Sequence, residues 1–100
     1  MIFDKIIWEE EGLKLLLKEK AVEILMTVYY ESLDGKNVYI QYIASKINSP
    51  HSYVWLMVKK FEQAGLVETI TEGRTKIIKL TEKGIRVSRH IQGLVNEFIQ

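Results

Sequence analysis

Between Ser49 and Lys60 the chain reads SPHSYVWLMVKK, which sets three hydroxyls (Ser49, Ser52, Tyr53) and one imidazole (His51) ahead of two adjacent ammoniums, Lys59 and Lys60. Hydroxyls and free backbone N–H groups at the start of a helix meet the positive end of its dipole, where phosphate oxygens are held. The two lysines can add mobile point charges, a salt-sensitive attraction that ignores sequence. Further on, Arg74 follows Glu72-Gly73, and Lys76 shares its face, so a basic tip is expected just past a turn. Taken together these residue types suit a grip on a polyanion.

Other chemistries find no support. Glu9, Glu10 and Glu11 are consecutive and cannot converge on one helix face, and no nucleophile or histidine is spaced near them. The chain has no cysteine, so thiolate metal sites, disulfides and a cysteine nucleophile are excluded. Its only two histidines, His51 and His90, stand far apart, and the six glycines form no phosphate-binding loop. No enzyme, metal site or cofactor is expected.

Net charge is +1, but its distribution is uneven. Residues 1–34 hold eight acids and four bases, whereas residues 35–100 hold ten bases and five acids. No acid occurs between Lys36 and Phe61, a local positive field of the kind that attracts nucleic acid. Apolar residues make up 47 % and charged ones 27 %, so one folded unit over 1–100 is expected. The leader MIFDKIIWEEEG is too charged for a signal peptide, and no apolar run suits a membrane span. A cytoplasmic chain with no membrane partner is expected.

The elements that must position these groups follow from periodicity. Leu17, Ala21, Ile24, Leu25 and Val28 predict a long first helix from Leu13 to about Ser32, ended by the turn residues LDGKN. Val38-Tyr39 can form a short strand. Ile40, Ile43, Ala44 and Ile47 then mark a short helix with one buried face. After it, Ser49 is expected to cap a helix over Pro50–Ala64 that Gly65 closes. Its inward stripe is Val54, Val58 and Phe61, with Met57 and Trp55 beside it. Ser52, Leu56, Lys59, Lys60 and Gln63 then face outward and Tyr53 lies on the flank.

The run LVETITEGRTKIIKL reads as a hairpin turning at Glu72-Gly73, with Val67 opposite Ile78 and Thr71 opposite Arg74. Thr81 is expected to cap a last helix whose apolar stripe is Val87, Ile91, Leu94, Val95 and Phe98. Two helices joined by a tight turn and followed by a hairpin make an α+β, mainly α arrangement: a winged helix-turn-helix with a two-stranded wing and long flanking helices.

Within residues 38–84, IASKIN, VKKFEQAGLV and LTEKG occur in the order that resembles the winged helix-turn-helix domains of MarR- and ArsR-type transcriptional regulators. In such regulators the recognition helix enters the major groove, the wing touches the backbone or minor groove, and the outer helices dimerise. The resemblance implies double-stranded DNA as partner, contacted by Ser49, His51, Ser52, Tyr53, Lys59, Lys60, Arg74 and Lys76. It also implies a homodimer built on segments 1–33 and 82–100, through Ile2, Phe3, Ile6, Ile91, Leu94, Val95 and Phe98. No Arg, Asn or Gln lies in the first half of the recognition helix, so it is better equipped to grip backbone than to read bases. The competing expectation is a protein-docking module using Trp55, Leu56 and Met57. No convergent polar cluster marks a small-molecule effector pocket.

Overall fold

The computed structural model describes residues 18–99. Elements follow in the order α1 (Glu19–Leu33), β1 (Val38–Tyr39), α2 (Ile40–Ile47), α3 (His51–Gln63), β2 (Val67–Glu72), β3 (Thr75–Leu80) and α4 (Glu82–Ile99). The expected leader residues Ile2, Phe3 and Ile6, and the first turns of the long first helix, lie outside the described residues.

The apolar stripes meet in one core. Ala21, Ile24, Leu25 and Val28 of α1, Ile43 of α2, and Val54, Val58 and Phe61 of α3 are all buried in it. Among the described residues Phe61 is the largest fully buried side chain. Such stripes recur every three or four residues because only one helix face meets the core, and that packing, more than propensity, stabilises short helices.

The turn between α2 and α3 fixes the geometry of the pair. Asn48 takes the left-handed conformation at φ 53, and the Ser49 N–H reaches back to the Ala44 carbonyl at 3.0 Å, closing α2. Asn tolerates this backbone because its short polar side chain bonds locally. The expected Ser49 cap is not formed. Pro50 itself is the N-cap, with ψ 142, and no side chain caps α3. An extended Pro50 cannot be the first helical residue, so its carbonyl accepts from the Tyr53 and Val54 N–H groups at 3.1 and 3.2 Å.

The sheet is antiparallel with order β1-β3-β2. Short β1 pairs Val38 with Ile78 and Tyr39 with Ile77, so the wing hairpin is anchored by a third strand. The expected hairpin register is corrected: Val67 faces Leu80, Thr71 faces Lys76 and Glu72 faces Thr75. The turn is therefore Gly73-Arg74. Gly73, at φ 63, takes the left-handed place, and Arg74 keeps a negative φ. A Glu72-Gly73 turn would have forced Glu72 to a positive φ at a steric cost that glycine avoids.

The wing returns into α4 through a tight joint. Thr81 caps α4 as expected, its Oγ1 accepting from the Gly84 N–H at 3.0 Å. The same hydroxyl donates to the Gly65 carbonyl at 2.6 Å, and the Thr81 N–H donates to the Leu66 carbonyl at 3.0 Å. Gly84 packs so closely there that a Cβ would collide with the Leu66 carbonyl oxygen. Farther along, Tyr30 of α1 donates to Gln92 of α4, and Gln92 donates to Asn96 at 2.9 Å.

Candidate nucleic-acid interface

The inward stripe of α3 dictates what its other faces offer. With Val54, Met57, Val58 and Phe61 buried, Ser52, Leu56, Lys59, Lys60 and Gln63 are exposed and Tyr53 is half-buried against the core. Leu56 keeps 52 % of its surface in solvent, an open apolar side chain in the middle of the helix.

Beside this face, between α3 and the wing, lies an open groove of about 620 Å³. From α3 it is lined by His51, Ser52 and Trp55, from the wing by Arg74, Thr75 and Lys76, and from the start of α2 by Ile40 and Gln41. No carboxylate is among these residues, so the groove presents two permanent cations and an imidazole. Glu62, the only acid of α3, is turned elsewhere: its Oε2 accepts from the Thr69 hydroxyl at 2.8 Å and the Thr69 N–H at 3.3 Å. That contact ties the base of the wing to α3 and keeps the carboxylate occupied on β2.

Trp55 forms one wall and sets the groove's character. Half-buried against the core cluster, its ring lies 5.1 Å from the Lys59 Nζ and 5.1 Å from the Lys76 Nζ. An ammonium at this distance is drawn to the negative face of an aromatic ring. The expectation that Trp55 packs at the core margin is met, and its ring also meets one lysine of its own helix and one of the wing.

Of the expected contact residues, the groove brings together His51, Ser52, Arg74 and Lys76. Lys59 reaches it through Trp55, whereas Lys60 is exposed on α3 outside the groove lining. Ser49 is half-buried in the α2–α3 turn and Tyr53 packs inward, so neither lines the groove. Gln41 and Thr75 were missed. Gln41 could have been found from its place in the first turn of α2, and Thr75 from the correct hairpin register.

Away from the groove lining, α4 divides along its length. Val87 and Ile91 pack partly on the core of their own chain, while Leu94 and Val95 remain 41 % and 37 % exposed. Leu33 at the end of α1 is also exposed. The Phe98 side chain lies outside the described residues. Among the described residues no helix is long and apolar enough to cross a membrane.

No protein-family model matches the chain. A protein of Archaeoglobus fulgidus called uncharacterized is 65 % identical over 88 residues, 88 % of this chain and 93 % of its own length. The crystal structure of AF1382 from the same organism superposes with TM-score 0.82 at 62 % identity, covering 89 % of this chain and 98 % of that one. The homodimeric winged helix-turn-helix DNA-binding domain of Mb0332 from Mycobacterium bovis shares the fold at TM-score 0.72 and 19 % identity, over 89 % of this chain and 78 % of that one. The chain thus belongs to the family of the uncharacterized Archaeoglobus fulgidus protein, and its fold is the winged helix-turn-helix.

Proposed function

We propose that this chain is a transcriptional regulator that binds double-stranded DNA as a homodimer. The observation that carries the reading is the carboxylate-free groove between α3 and the wing, with His51, Ser52, Arg74 and Lys76 on its walls. Lys59 and Lys60 extend the same positive field along α3. Charges so arranged neutralise phosphates on either side of a backbone strand, with counterion release supplying the affinity. Hydroxyls at Ser52 and Thr75 and the amide of Gln41 add short-range contacts. Mb0332, whose domain is a DNA-binding homodimer, supports the same use of this fold.

Titration of the protein into its own upstream DNA at two salt concentrations tests the reading. Binding should appear at low salt and fall steeply at higher salt, with a log–log slope of about −0.9 for each phosphate neutralised. Lack of a shift at low salt would sink it.

Exposed Leu56 favours a second reading, in which the outer face of α3 docks a protein. Under the DNA reading, Lys59→Ala with Lys60→Ala weakens the complex more than Leu56→Asp does. The reverse order of effects supports docking.

A further inference from the structure

The wing and the recognition helix grip a backbone more tightly when their cations are already held at a fixed separation, yet two lysines on flexible stems do not ordinarily hold one. Lys59 projects from α3 and Lys76 from β3, and among the described residues neither has a carboxylate partner. Both ammoniums nevertheless sit 5.1 Å from the centroid of the same ring, that of Trp55. They can therefore be no farther apart than twice that distance, close enough to repel each other. Thr71, paired across the hairpin with Lys76, takes one hydrogen bond from its Nζ at 3.4 Å and steadies the stem from the other side.

We propose that Trp55 is a positioning residue: its ring holds Lys59 and Lys76 together and so pins the wing against the recognition helix at the spacing used to grip a phosphate backbone. The inference rests on the DNA-binding reading for its purpose, but the clamp itself is a property of the free protein. Three features carry it. The ring is rigid and anchored, being half-buried against the core. It lies on the groove wall between the two elements. The second tie between wing and helix, Glu62 to Thr69, acts on β2; β3 is held in the sheet by β1 and β2, and Lys76 carries the contact from it to Trp55. Among the described residues, Trp55 is thus the one residue of α3 whose ring meets a lysine of each element.

Two measurements test this. In the free protein, the side-chain methylene protons of Lys59 and Lys76 should show upfield ring-current shifts, both lost in Trp55→Leu and partly kept in Trp55→Phe. Ordinary lysine shifts in the wild type would overturn the clamp. Against a mixed-sequence DNA duplex, Trp55→Leu should weaken binding by about five-fold, the cost of ordering on the DNA two lysines that the ring no longer holds in place. In a background already carrying Lys59→Ala and Lys76→Ala, the same substitution should cost nothing further. An equal loss in both backgrounds would show that Trp55 acts by packing alone, and would also overturn the clamp. Thermal unfolding of Trp55→Leu guards against a mere folding defect. Should the wild type bind no duplex, the functional reading fails while the ring-current test still decides the clamp.

Discussion

At the scale of single residues, two positions make sharp claims. Gly84 stands where a Cβ would run into the Leu66 carbonyl, a backbone atom that cannot swing aside. Gly84→Ala should therefore destabilise the fold by about 1–3 kcal/mol, read by chemical denaturation, the range for overpacking a close contact. Helix propensity alone would predict the opposite sign. Ser88 is fully buried, and among the described residues its hydroxyl has no hydrogen-bond partner. Replacing it with alanine removes an unpaired polar group of nearly the same volume, so Ser88→Ala should leave stability unchanged or raise it by about 1 kcal/mol. Both roles depend on what the tertiary packing sets opposite them, and neither was legible in the sequence. By contrast, the Thr81 cap was legible, because a hydroxyl three residues before the receiving N–H is a local arrangement.

At the scale of elements, the α2–α3 turn depends on the left-handed Asn48. Asn48→Ala should cost about 1 kcal/mol and Asn48→Gly should be neutral or stabilising, a pair of variants whose midpoints of denaturation separate backbone conformation from side-chain contact. The three helical stripes were readable because their periodicity reports burial directly, and Val54, Val58 and Phe61 fell inward as their spacing required. The wing shows where that signal stops. Moving its turn by one residue shifts the pairing by two, so every side chain stays on its own face and apolar alternation cannot distinguish the registers. Only the glycine did: at the first turn position it spares Glu72 a positive φ, whereas at the second it does not. Trp55 was ambiguous for a related reason, since its bearing toward Lys76 exists only once the wing is placed. The groove itself is assembled from three separated segments, so half its lining was visible as basic and hydroxyl residues and their convergence was not.

At the scale of the whole molecule, the proposed dimer predicts a surface where apolar side chains stay open on one copy. Leu94 and Val95 of α4 meet that description, and Ile91 shares itself with its own core. Leu94→Lys combined with Val95→Lys should halve the mass measured by light scattering and weaken DNA binding, since a monomer engages only one half-site. A mass left unchanged by the pair would place the interface elsewhere. The uneven charge of the sequence finds its counterpart at this scale: the carboxylate-free groove belongs to the basic two-thirds of the chain, and the acidic residues of α1 stand outside its lining.

The joint at Thr81 has a mechanical meaning. Through Thr81 the start of α4 is bonded to the carbonyls of Gly65 and Leu66, directly beyond the end of α3, and Lys83 adds a contact to the Ala64 carbonyl at 3.3 Å. With Gly84 pressed against the same backbone, little slack remains between the two helices. In a dimer held through α4, such a coupling would make each protomer a stiff lever that passes a rotation at the pivot on to α3. Operators whose half-sites are moved apart by a single base pair should then be penalised as a unit, because neither arm can lengthen to follow them.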